Sequence, residues 1–421
     1  MSNSVKVDRS QVVSDLFSYK LIRSDEKNIR LATERVLGGL DSIPQIYDEV
    51  SFLGIEVEVE GLDEERRDFD SVFWDIKEDG SLRNNGWEFV SVPIRGNAVY
   101  AALKTLDSSL REYRGVDFSD RTSVHVHVNV RDMEVESLIN MLLIYLVFET
   151  ILYKHVFDAC GKKRDDNIFC VPIGDVGQSL GLAQALSFFE KGNNLHALHR
   201  ITDNWRKYSG LNLIPIRSFG TIEFRHLGGI SNPEKILTWI NLLLSMKKYA
   251  SEIEYTNLKQ EILNLNTNSM YEVFTKRVFK RHADHILKYN VRYELEKGVI
   301  LVKYLLSIMG AKHEHLTEEK FDRSSFKAFF EMASGKKLVE IQKKTPEEMS
   351  LQELENEYAK ISRQKQTLAL ELSTDELTRG FNDEIINALS EKLALYDKTL
   401  DIISKLYHAK KNELKNVKAN F

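Results

Sequence analysis

The chain has 421 residues, more than one core usually serves, so two or three structural units are expected. Hydrophobic residues make up 43% and charged residues 29%, the composition of a soluble globular protein and too apolar for a disordered one. Lys plus Arg total 58 against 63 for Asp plus Glu, and the resulting net charge of −5 argues against a general electrostatic grip on nucleic acid.

Residues 1–52 mix short helical patterns with Gly38, Gly39 and Pro44 and read as a lead-in with no motif tied to chemistry. The opening MSNSVKVDRSQVVSDLF lacks an apolar run followed by a small-residue cleavage site, so cytoplasm is expected. From Leu53 the texture changes. GIEVEVEG, WEFVSVP, SVHVHVNV and GTIEFRHL each alternate residue types with period two, the pattern of half-buried strands. Helical patterns lie between them at about Asn97–Arg114, Val135–Asp158 and Gly181–Lys191, giving an α+β chain with a mainly antiparallel sheet over residues 53–255. The most apolar stretch, Leu138–Phe157, is interrupted by Asn140, Glu149, Lys154 and His155, which predicts a buried helix and no membrane span. Cys160 and Cys170 have no Cys or His partner at zinc-finger spacing and read as two separate thiols.

After Gly229, Asn232-Pro233-Glu234 predicts a capped helix reaching about Ser251. Residues 256–340 read as helices around Tyr271–Phe279, Tyr289–Ser307 and Arg323–Met332. Residues 341–421 change period again. Leu351, Leu354, Tyr358, Ile361, Leu368 and Leu372 form a narrow seam, a capping box at Ser373–Glu376 breaks it, and a second seam runs from Phe381 through Leu400, Ile403 and Tyr407 to Val417. An all-helical ending as a helical hairpin or coiled coil is expected, with homo-oligomerisation through it.

The residues able to do chemistry sit on the strands. Glu56, Glu58 and Glu60 share one face of GIEVEVEG, opposite Ile55, Val57 and Val59. Adjacent carboxylates on one pleat repel unless cations or solvent intervene; a solvated outer face is the plain alternative. His125 and His127 repeat the arrangement, as metal ligand and phosphate donor, though HxH also occurs in zinc hydrolases. Glu223 and Arg225 share a third strand face, either as a structural ion pair or as a metal ligand beside a phosphoryl-neutralising guanidinium. Glu88 opens a strand after Gly86 and faces the side of Val90, while Asp79-Gly80-Ser81 reads first as a turn. No GxxxxGK loop is present, so a P-loop kinase has no support.

The order of these motifs, ExE, then DGS and GxE, HxH, Arg164-x-x-Asn167, Leu211-Asn212-Leu213 and ExR, resembles the amidoligase family over about residues 53–250. That family is similar to glutamine synthetase in its catalytic fold. The resemblance implies a curved, mainly antiparallel sheet of glutamine-synthetase-like type with flanking helices, holding ATP and Mg²⁺, with Mn²⁺ as a substitute. It implies Glu58 and Glu88 as ligands of a substrate-side metal, and Glu56, His125 and Glu223 as ligands of an ion bridging the phosphates. His127 and Arg225 would contact the phosphoryl group, with Arg164, Arg206, Lys207 and Asn212 as further nucleotide or substrate contacts. The implied reaction joins a carboxylate and an amine, from an amino acid, peptide or protein, through an acyl phosphate, with Asp79 and Glu60 the nearby acids to test as the amine's base. The rival expectations are a phosphotransferase on the same sheet, an inactive binding or structural protein that kept the fold, and a zinc hydrolase built on the HxH pair. Glu58 and Arg225 are expected on a solvated cleft wall.

Overall fold

The computed structural model describes residues 11–19, 25–62, 71–80, 82, 85–167, 169–175, 178–203 and 205–309, together with residues 354, 358, 361, 362, 365, 394 and 396–411 of the C-terminal region. Among the described residues, six strands form one sheet: β1 Leu53–Val59, β2 Trp74–Glu78, β3 Trp87–Ser91, β4 Ser123–Asn129, β5 Leu211–Asn212 and β6 Thr221–Gly228. The spatial order is β2-β3-β1-β4-β6-β5 and every pairing is antiparallel. The four alternating segments thus become β1, β3, β4 and β6. β2 carries no alternating apolar signal, because Asp75, Lys77 and Glu78 make it more polar than its neighbours and it lies at the sheet's edge, where polar residues are tolerated.

The helices are α1 Glu26–Leu37, α2 Asn97–Glu112, α3 Val135–Cys160, α4 Ser179–Glu190, α5 Asn194–Asp203, α6 Pro215–Ser218, α7 Pro233–Glu252, α8 Tyr255–Asn264, α9 Asn268–Phe279, α10 Asp284–Leu287 and α11 Val291–Ile308. The expected start of α7 is realised: Asn232 Oδ1 accepts from Lys235 N at 2.9 Å with Pro233 in the first turn. The expected helix at Arg323–Met332 lies outside the described residues. Helix α3 is long and apolar enough to cross a membrane, yet 89% of its apolar window is buried inside the protein. It therefore serves as the central core helix.

One face of the sheet is apolar and the helices cover it. Ile55, Val57, Val59, Phe89, Val124, Val126, Val128, Ile222 and Phe224 are all fully buried there. The Trp74 indole donates to Ala102 O of α2 at 2.9 Å, and Phe224 packs edge-on against Trp239 of α7. Burying each such side chain contributes about 1.5–3 kcal/mol. A one-residue slip would drive Glu56 and Glu58 into this core, so hydrophobic burial alone fixes which face carries the charges.

Two compact units divide the chain, residues 1–337 and 338–421. In the second, Leu354 and Ile361 cluster with Ile403, flanked by Tyr396, Leu400, Leu406 and Tyr407, and Lys365 pairs with Asp397. Of these, Leu354 and Ile361 belong to the first predicted seam and Tyr396, Leu400, Ile403 and Tyr407 to the second, whereas Leu406, Lys365 and Asp397 lie off both. The break at Ser373–Glu376 and the seam positions Leu351, Leu368, Leu372, Phe381 and Val417 lie outside the described residues. Cys160 and Cys170 are unpaired thiols, as their spacing suggested.

Candidate active site

The face opposite the helices collects the charged residues because the register places them side by side. Glu56 stands opposite His125, Glu58 opposite Glu88, and His127 and Asn212 both opposite Glu223. A bulge completes the arrangement. Val126 pairs with Phe224 but Val124 pairs with Leu227, so Arg225 and His226 together oppose the single residue His125. Arg225 ion-pairs with Glu223, while the His226 ring reaches Tyr145 Oη of α3 at 2.9 Å, on the helix side.

Two donor groups result, and they share one imidazole. Ligand atoms of Glu56, His125 and Glu223 lie within 4.8 Å of one another, as do those of Glu58, Glu88 and His125. His125 Nδ1 is 3.0 Å from Glu56 Oε2 and 3.4 Å from Glu223 Oε1, whereas its Nε2 is 3.7 Å from Glu58 Oε1. His125 therefore bridges the two groups through opposite ring nitrogens. His127 Nε2 is buried 3.3 Å from Glu56 Oε1 but off-line for a hydrogen bond, and its Nδ1 is 3.1 Å from Thr221 Oγ1.

The charge balance differs between the groups. Burial works to raise the Glu56 carboxyl, but its contacts with His125 and His127 hold it well below the usual range. Burial likewise opposes ionisation of Glu223, and Arg225, His127 and His125 overcome it and keep the carboxyl low. His127 shows the reciprocal effect: burial disfavours its cation, and Glu56 and Glu223 raise it nonetheless. Glu88 has no such help. Burial, then the charges of Glu56, Glu58 and Asp79, push it up to about 8. Ionising Glu88 beside Glu56 and Glu58 is therefore costly, and a charged Glu58–Glu88 pair would be held under repulsion.

That repulsion is the test of fit for a divalent ion. Carboxylate oxygens from three strands suit Mg²⁺, and a single imidazole in the set is equally acceptable to Mn²⁺. A bound cation would lower the cost of ionising Glu88.

The remaining sequence-derived candidates divide. Asn212 is buried and its Nδ2 donates to Glu223 Oε2 at 2.6 Å, orienting that carboxylate. Asp79 is half-buried and acts electrostatically on Glu88; Glu60 is buried, its backbone paired with Asp117. Arg206 and Lys207 are exposed, and no side-chain contact to the cluster is seen among the described residues. Arg164 is 2% exposed and bonds backbone carbonyls. One expectation needs correction. Glu58 and Arg225 are not on a solvated wall, being 5% and 8% exposed, because each is enclosed by its own partners. Arg164 is likewise buried, although its neighbours Lys163 and Asp165 are exposed.

Sequence reasoning missed Ser123 and Thr221. Ser123 donates to Glu58 Oε2 from both its backbone N, at 2.8 Å, and its hydroxyl, at 2.7 Å, and its Oγ is 2.7 Å from His125 Nε2. Extending the period-two rule by one step from His125 and from Glu223 would have found both. It also missed Phe169, whose carbonyl accepts from Arg225 Nε at 3.1 Å, and Tyr208, whose ring centroid is 5.8 Å from the guanidinium; neither carries a sequence signal.

Comparison with known proteins bears on this constellation. Residues 56–247 match the family model described as "Putative amidoligase enzyme". The amidoligase match begins in β1 at Glu56 and ends inside α7, so it takes in every strand residue assembled above, and it supports a ligase-type function. No curated protein matches the chain. Among solved structures, one titled "Crystal structure of novel glutamine synthase homolog" aligns over 71% of this chain and 74% of that chain, at 10% identity and a TM-score of 0.23. The fold description therefore rests on the strand order and register themselves.

Proposed function

We propose that the amidoligase-like segment is the catalytic part of an ATP- and Mg²⁺-dependent ligase that joins a carboxylate to an amine through an acyl phosphate. The observation that supports this reading is the pair of donor groups sharing His125, with Arg225 beside one of them and, in the other, a carboxylate pair that is costly to ionise. Glu58 and Glu88 would hold the cation on the substrate side, and Glu56, His125 and Glu223 the cation on the phosphate side. Mg²⁺-bound ATP would supply the phosphoryl group and neutralise its charge. Arg225 and His127 would stabilise charge on the transferring group, and Asn212 and Ser123 would keep Glu223 and Glu58 in place. The substrate carboxylate oxygen would take the phosphoryl group, and the amine nitrogen would then displace phosphate, giving its proton to Asp79 or Glu60. A reduced, cytoplasmic setting belongs to the same reading, supported by the two unpaired thiols.

The test is phosphate release by the purified chain with ATP, Mg²⁺ and pooled amino acids or peptides, with mass spectrometry of the products. Release should require both a carboxylate and an amine, and the product should carry a new amide bond. Glu58→Gln and Arg225→Lys should lower turnover by at least about 10²-fold. A stable phosphorylated acceptor with no amide would replace the ligase reading by the phosphotransferase one; undiminished turnover in both variants would remove the site assignment.

A further inference from the structure

The segment joining α3 to α4 contains Arg164 and Asn167, and these two side chains point to backbone carbonyls. Arg164 Nη1 is 3.5 Å from Asp120 O, and Nη2 is 3.3 Å from Arg225 O. Asn167 Nδ2 donates to the same Asp120 carbonyl at 3.2 Å. Asp120 lies just before Ser123, the residue that holds Glu58; Arg225 is the bulged residue opposite His125. One guanidinium thus spans the loop entering β4 and the bulge in β6.

The same turn also reaches the Arg225 side chain. Asn167 N donates to Arg164 O at 3.1 Å and Asn167 Oδ1 accepts from Phe169 N at 2.9 Å, which sets the Phe169 carbonyl that receives Arg225 Nε. Helix α3 braces the turn from behind. Tyr153 Oη donates to Cys170 O at 2.8 Å, and Glu149 accepts from Ile173 N at 2.7 Å. Arg225 is therefore held at both ends, its backbone oxygen by Arg164 and its Nε by the turn that Asn167 shapes. A two-against-one register interrupts the ladder at that point, so the backbone there needs such outside support. A substrate-binding arginine would have to present donors to a ligand, whereas Arg164 is 2% exposed and turns both Nη atoms to backbone carbonyls.

We propose that Arg164 and Asn167 are positioning residues that fix the bulge and the aim of Arg225, and that Arg164 does not touch nucleotide or substrate. The kinetic part rests on the ligase reading; the structural part does not.

The experiment uses the full chain with Arg164→Lys, which keeps the charge but cannot reach both carbonyls, and Asn167→Ala, which removes only partly exposed contacts and should fold. Hydrogen–deuterium exchange should accelerate about tenfold or more in residues 118–124 and 221–228 of each variant, with the rest of unit 1–337 unchanged, as expected for a local opening. In ATP turnover, kcat should fall toward the ~10²-fold that misplacing a reacting group costs, with KM for ATP within about twofold and nucleotide stoichiometry intact. Unchanged exchange in both variants overturns the proposal, as does a large rise in KM with kcat preserved, the mark of a direct contact. If the unaltered chain turns over no ATP, the ligase reading fails, and the exchange result alone still decides the structural assignment.

Discussion

Replacing Glu88 by Gln should make the metal-free protein more stable while weakening its response to divalent cations. The Glu58 and Glu88 ligand atoms lie within 4.8 Å of each other on a partly dehydrated surface. At an effective dielectric of about 20, two unit charges at that separation repel by about 3 kcal/mol. Half-burial of Glu88 and screening by salt reduce the recoverable part to about 1–2 kcal/mol. For a unit of this size that is a rise of about 1–3 °C in Tm. The measurement belongs at about pH 9, where Glu88, pushed up to about 8, is mostly ionised. Calorimetry in chelator, then with Mg²⁺ or Mn²⁺, should show the variant ahead without metal and the native chain gaining more when metal is added. A variant less stable than the native chain in chelator, or one with an equal metal-induced gain, would refute the claim that this pair is a cation site held under repulsion.

Two further expectations concern the scaffold. His155 is held down to about 4, chiefly by burial and then by Lys288 and His285; because the folded protein resists its protonation, stability should be full above about pH 6.5 and decline as pH falls toward 4, by up to about 3 kcal/mol. Thermal unfolding across that range should flatten in His155→Gln, and an unchanged profile would dismiss this histidine as the cause. At Gly298, where α11 crosses α3, an added Cβ would sit 2.3 Å from Leu146 O and 2.6 Å from Val147 O, so Gly298→Ala should cost about 1–3 kcal/mol in urea unfolding. A neutral result there would mean that the two helices can separate without penalty.

The alternating runs determined a good deal by themselves. Val, Ile and Phe at every second position can only bury one face, so the sequence alone assigned Glu56, Glu58, His125, His127, Glu223 and Arg225 to the faces of their strands. The same reasoning located α3 and α7, whose apolar lengths and Asn232 cap are local signals. It could not find β2, whose polar composition is tolerated at a sheet edge, nor could it rank Arg164 against Arg206 and Lys207, since burial is not a local property. Which strands would be neighbours, and so which carboxylates would meet, depended on pairing between residues as distant in sequence as Glu58 and Ser123. The bulge at Arg225, the sharing of His125 between two donor groups and the enclosure of Glu58 were decided there as well. Strand register and desolvation arise only when distant segments pack, and those two quantities set both the distances and the charge balance of the site.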